Sequence, residues 1–198
     1  MRNETTCLIA VIIAMTLASC VVPGGGGREE ASYLIRVSKV AGVCEGPAEI
    51  WSAPGSRLAT GRFRAGEPVG TWTFWDSRGT KIVMMEYLNG RQSGPLEMCY
   101  GSFAIPTSVG KLKLRGHLEN GRLEGGVTTY SPEGKTIIKG HYKHGVLVSC
   151  QAVNAQGHPL SDAQARALAE DQAKADVAYL GTIDEIIRNS ALYAKPIP

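Results

Sequence analysis

Glycine recurs through the middle of this chain on a fixed spacing. Gly42, Gly66, Gly90, Gly121 and Gly145 lie 24, 24, 31 and 24 residues apart. Gly46, Gly70, Gly94 and Gly125 lie 24, 24 and 31 apart, and Gly55, Gly79, Gly110 and Gly134 lie 24, 31 and 24 apart. Three series with one period and one shared insertion describe a tandem array, in which each unit stacks on its neighbours. Gly157 follows Gly134 by 23 residues, which is the place for a worn fifth copy. The insertion falls between Cys99 and Gly110 and reads as a longer loop at one hairpin end. With 24 glycines in 198 residues and no triplet period, the chain is glycine-rich without being collagen-like.

Apolar residues keep step with the glycines. Phe63, Tyr87, Leu118 and Tyr142 share one phase, Trp51, Trp75 and Tyr130 a second, and Trp72, Leu96 and Val127 a third. Each unit holds two turn signals. One is Asn89-Gly90, Asn120-Gly121 or His144-Gly145, where positive φ favours a tight hairpin. The other is Asp76-Ser77-Arg78-Gly79 or Ser131-Pro132-Glu133-Gly134. Between them lie short β-rich stretches, and Trp72 and Phe74 alternate with Thr71 and Thr73 as on a strand with one buried face. The expected fold is mainly β, an antiparallel meander of repeated hairpins over residues 33–158. Its expected core aromatics are Trp51, Phe63, Trp72, Phe74, Trp75, Tyr87, Tyr130 and Tyr142, and its turn glycines include Gly66, Gly70, Gly79, Gly90, Gly94, Gly121, Gly125, Gly134 and Gly145.

Gly70-Thr71-Trp72-Thr73-Phe74-Trp75, then Gly79, then Tyr87-Leu88-Asn89-Gly90-Arg91-Gln92-Ser93-Gly94 resembles the MORN-type repeat, in its bacterial antitoxin-like variant. Gly125 to Tyr130, Gly134 and Tyr142-Lys143-His144-Gly145 is a second good copy. The resemblance covers about residues 42–150. It departs at Lys39, which stands where an aromatic belongs, and at Leu118, which replaces a Tyr. It implies a repeat sheet whose extended surface binds protein or lipid.

The apolar run from Cys7 to Ala18 is about twelve residues, short of the roughly twenty that cross a bilayer. It suits the h-region of a signal peptide. Leu17-Ala18-Ser19-Cys20 resembles the lipobox of bacterial lipoproteins. The resemblance implies removal of residues 1–19 and acylation, palmitate included, of Cys20, which anchors the chain to a membrane. Val21 stands where an Asp would suggest inner-membrane retention, so the implied location is the outer membrane facing the periplasm. Residues 20–32, with Gly24 to Gly27, form the tether.

After Pro159 the composition changes. Ser161-Asp162-Ala163-Gln164 resembles a capping box, and residues 163–180 are rich in helix formers. Gly181 is a candidate stop, with a second cap at Thr182 to Glu185 before a helix running to about Tyr193. Ala165, Leu168, Ala169, Gln172, Ala175 and Tyr179 recur at helical spacing. Residues 159–198 are therefore expected to form a helical cap, either covering the last strand edge or docking a partner.

Catalytic, cofactor and metal sites are not expected. Cys44, Cys99 and Cys150 lie about two repeat units apart, beyond the reach of a disulfide within the array. His117 and His141 share a phase about 10 Å apart, too far for one metal ion. There is no Gly-x-Ser-x-Gly elbow, no Cys-x-x-Cys and no phosphate loop. Residues 21–160 carry 16 basic and 11 acidic side chains, but the whole chain has a charge of only +3, too little to argue for nucleic acid. The function expected is a non-catalytic, lipid-anchored envelope scaffold with an unidentified envelope protein as partner. The alternatives are toxin neutralisation or, less supported, an enzyme with a site near residues 100–108. Arg62, Glu86, His117 and His141 are the exposed strand positions through which a partner would be felt.

Overall fold

The computed structural model describes residues 33–52 and 55–192. The signal-peptide segment, Cys20, the tether and residues 193–198 lie outside the described residues. Eleven antiparallel strands form one sheet. They are β1 (Tyr33–Val40), β2 (Val43–Ser52), β3 (Arg57–Arg64), β4 (Glu67–Trp75), β5 (Lys81–Leu88), β6 (Arg91–Cys99), β7 (Leu112–Glu119), β8 (Arg122–Leu123), β9 (Gly125–Tyr130), β10 (Thr136–Lys143) and β11 (Val146–Ala152). Each pairs with the next, except that β8 pairs only with β7, beside β9. A helix, α1 (Asp162–Leu192), follows.

The three glycine series do three jobs. Gly42, Gly66, Gly90, Gly121 and Gly145 end tight hairpins in which both central residues have positive φ, the type I′ pattern that matches strand twist. The residue before the glycine is Asn89, Asn120 or His144 in three turns, but Ala41 and Ala65 in the other two, at φ 50°. Gly46, Gly70 and Gly94 sit where the pairing register slips, as at Thr60 and Arg62, which face Thr73 and Val69. These are bulges, and they tighten the twist of the three units that carry them. Gly55, Gly79, Gly134 and Gly157 close wider turns, each donating its N–H three residues back, to Ser52, Asp76, Ser131 and Asn154.

Successive units are also stitched together. Gly66 N donates to Cys44 O, Gly90 N to Pro68 O, Gly121 N to Gln92 O and Gly145 N to Leu123 O, at 2.7–3.2 Å. Glu45 accepts from Ala65 N at 2.7 Å, and Glu124 from His144 N at 2.6 Å. A lone hairpin is marginal in water, and these bonds tie each to its predecessor.

The core is a single layer between one sheet face and α1. Trp72 is at its centre and wholly buried, 5.2 Å edge-on from Phe63 and within 6.4 Å of Phe74 and Tyr87. It lies flat over Gly61, where a Cβ would come within 2.1 Å of the indole. Phe63, Tyr87, Leu118 and Tyr142 are buried, as are Trp72, Leu96 and Val127. Trp51, Trp75 and Tyr130 are not part of this core. They occupy the opposite face and are half-buried, because neighbouring residues such as Phe74 and Trp75 must point to opposite sides of a pleated strand.

The helix also departs from expectation in two respects. It runs unbroken through Gly181, and it covers the sheet face instead of an edge. Its buried stripe is Ala165, Ala169, Gln172, Asp176, Leu180, Ile183, Ile187 and Ser190, in step on both sides of the glycine. An interior glycine costs about 1 kcal/mol relative to alanine. Burying Leu180, Ile183 and Ile187, at roughly 1.5–3 kcal/mol each, outweighs that. A 31-residue helix is about 46 Å long. Ten strands at about 4.8 Å spacing span roughly 43 Å, so one helix crosses the entire array. The capping box forms at its start: Ser161 N donates to Gln164 Oε1 at 3.2 Å, and Gln164 N lies 3.5 Å from Ser161 Oγ.

Candidate functional surfaces

A polar seam fastens α1 to the sheet. The buried Asp176 carboxylate takes Lys113 Nζ at 2.7 Å and Gln172 Nε2 at 2.8 Å. Gln92 donates to Leu180 O at 2.9 Å, and Tyr87 donates to Asp184 Oδ1 at 3.0 Å. Arg188 holds the other Asp184 oxygen at 2.7 Å, and Tyr142 donates to Ala169 O at 3.2 Å. At the far strand, Arg166 reaches the carbonyls of Leu147 and Val148. Burial pushes the Tyr87 and Tyr100 phenols well above their ordinary range and Tyr142 up to about 12. A void of about 10 Å³ between Gln172, Thr129 and Tyr142 is the size of one water. Each of these seam groups has a partner, which gives them a structural explanation, while Ser190 Oγ on the same helix face and Trp72 Nε1 beneath it are buried without one.

The opposite face has no helix over it. Following the pairing register, one row runs Arg36, Glu49, Thr60, Thr73, Met84, Glu97, Arg115, Thr128, Lys139 and Gln151. Arg115 pairs with Glu97 at 2.8 Å. The guanidinium of Arg36 lies 5.9 Å from the Trp51 ring and that of Arg57 4.2 Å from Trp75. Arg62, Glu86, His117 and His141 are all exposed. His117 and His141 stand on β7 and β10 with β9 between them, so the fold does not bring them together.

The two ends of the sheet differ. At the tight-turn end, Glu119, Glu124 and His144 offer ligand-type atoms within 4.8 Å of one another. Glu124 there accepts the turn N–H of His144, as Glu45 does for Ala65, which accounts for its position. At the other end, the inserted loop and the 76–79 turn meet. Asp76 is buried and accepts from Arg78 N, Thr80 N and Ser102 N at 3.0, 3.0 and 2.6 Å. The loop carries a short 3₁₀ turn (Pro106–Ser108) and brings Phe103 to 4.5 Å from the Arg78 guanidinium. Beside it is an open hollow of about 290 Å³ lined by Ser56, Arg57, Trp75, Asp76, Ser77, Arg78 and Gly79. The pairing of Arg78 with Phe103 leaves no periodic signal, because loops carry no hydrophobic repeat. The aspartate followed by glycine three residues later was the one visible sign of an organised turn there.

Cys44, Cys99 and Cys150 are free thiols on β2, β6 and β11, four strand spacings or about 19 Å apart in each step. Cys44 is buried against α1, its Sγ 3.7 Å from Ala191 O, and burial raises its pKa. Among the described residues, no helix is long and apolar enough to cross a membrane. No protein-family model matches this chain, and no curated protein shows significant similarity to it.

Proposed function

We propose that this chain is a non-catalytic interaction scaffold of the bacterial envelope, built of MORN-like repeats and held to the outer membrane, facing the periplasm, by acylated Cys20. The observation that carries this reading is the asymmetry of the sheet. One face is closed along its length by α1, while the other presents Arg36, Thr60, Met84, Arg115 and Lys139 beside half-buried Trp51, Trp75 and Tyr130. Arginine and large aromatics are the side chains enriched where proteins bind one another. The titratable groups of the seam, Lys113, Asp176, Tyr87 and Asp184, are spent on holding α1, which favours a binding role over a reaction.

Crosslinking followed by pulldown from envelopes tests this, comparing wild type with Arg62→Ala, Glu86→Ala, His117→Ala and His141→Ala. Loss of the same captured protein in these variants is expected, with unchanged melting. Capture that is indifferent to all four removes the open face from consideration. Palmitate labelling tests the anchor separately, and Cys20→Ser is expected to abolish the label.

A further inference from the structure

We infer that the inserted-loop end of the sheet is a contact site for an anionic lipid bilayer, with headgroup phosphate taken between Arg57 and Arg78 and the loop tip entering the interface. The site itself stands on described residues. Its role in the cell rests on the membrane-anchored reading above.

Three features converge at this end. The insertion exposes Phe103 (41%), Ile105 (47%) and Val109 (37%) within seven residues. Arg57 and Arg78 flank the hollow, each guanidinium held 4.2–4.5 Å from an aromatic ring. A stacked guanidinium keeps its N–H edges free for the oxygens of a phosphate, which arginine grips with two bonds. Lys81, Lys111 and Lys135 are exposed around them. Amphipathic elements sit at a bilayer surface by this combination of apolar and basic side chains.

The counter-charges do not oppose this. In connections 52–57, 75–81, 100–111 and 130–136, five cations face only Asp76 and Glu133. Asp76 is buried, with three backbone N–H groups on its oxygens. The opposite end also exposes apolar side chains, including Val40, Leu88 and Val146. Those lie on separate turns, among five cations and four carboxylates in connections 39–45, 64–67, 88–91, 119–124 and 143–146. The chain's own course agrees with the orientation. Tyr33, the first residue of β1, pairs with Ser52, so β1 begins at the inserted-loop end. Twelve residues span at most about 40 Å, which keeps that end near a membrane holding Cys20.

Amide deuterium exchange of the full chain with vesicles tests this locally, however the amino terminus is held. Phosphatidylcholine vesicles containing phosphatidylglycerol are expected to slow exchange in 100–111 and 75–81, and not at 88–91 or 119–122. Phosphatidylcholine alone is expected to do neither. Arg57→Ala with Arg78→Ala should weaken the protection roughly tenfold or more, given the usual contribution of a basic side chain at an anionic surface. Phe103→Ser with Ile105→Ser should also weaken it, and Leu88→Ser should not. Equal protection on both vesicle types, or in the double-arginine variant, overturns the proposal. So does full protection by inorganic phosphate without vesicles, which would mark a soluble-anion site. Failure of the anchor reading would instead appear as palmitate label that survives Cys20→Ser.

Discussion

The two faces of this sheet are made by the same strands and obey different rules. On the covered face, one repeat phase reads Phe63, Tyr87, Leu118 and Tyr142, all buried. On the open face, another reads Thr60, Met84, Arg115 and Lys139. Packing against α1 restricts the first set to large apolar or aromatic side chains. The second is not packed against α1, and its polar and charged side chains meet one another instead, as Arg115 meets Glu97. Side-chain alternation lets one strand carry both instructions.

The comparison breaks most sharply at the tryptophans. Trp72→Ala should cost about 3–5 kcal/mol, while Trp75→Ala, three residues away on the open face, should cost under about 1 kcal/mol. Urea unfolding measures both, and similar losses would falsify the division of the faces. Gly61→Ala sharpens the test, because its methyl would lie 2.1 Å from the Trp72 ring. A loss of about 1–3 kcal/mol is expected. Combining it with Trp72→Leu, the residue at the same phase as Leu96, should recover part of that loss, since the ring causes the clash.

High pH tests the covered face by another route. Tyr87 and Tyr142 lie on it, and burial raises their pKa, Tyr142 up to about 12. A free phenol titrates near 10. The folded chain therefore binds the phenolic proton more tightly than the unfolded chain. That stability is fully present below pH of about 10 and is lost as pH rises through the folded values. Ultraviolet titration should show these phenols ionising together with loss of the β-sheet signal. Tyr87→Phe with Tyr142→Phe should move alkaline unfolding to higher pH. Ionisation of both phenols near pH 10 in a chain that stays folded would contradict their burial.

How much of this was legible depends on whether a requirement is local. Positive φ leaves glycine at fixed spacing, so the array, its hairpins and the inserted loop could be read directly. Facing direction could not. Alternation shows that Phe74 and Trp75 oppose each other, but not which is inside, and bulges at Gly46, Gly70 and Gly94 reset the parity. The helix was visible, but its docking was obscured because Gln172 and Asp176 sit in the buried stripe, where their partners lie far away in sequence. Gly181 misleads for the same reason: a local signal of about 1 kcal/mol competes with tertiary burial that no window of sequence contains.

The smallest expected effect lies at the tight turns, outside both faces. Ala65 adopts φ 50°, a left-handed conformation that asparagine tolerates better than alanine. Asn89 and Asn120 occupy the same place in later units at φ 49° and 51°. The Ala65 N–H already bonds to Glu45, and its side chain is exposed, so substitution disturbs no packing. Ala65→Asn should therefore stabilise the chain by about 0.5–1 kcal/mol, raising the urea midpoint with an unchanged slope. Ala59→Asn, only six residues earlier and within β3, is the contrasting case. Ala59 is fully buried on the covered face, and a carboxamide there would have to displace packed apolar groups. If both changes moved the midpoint in the same direction, backbone conformation at the turn would not be what limits Ala65.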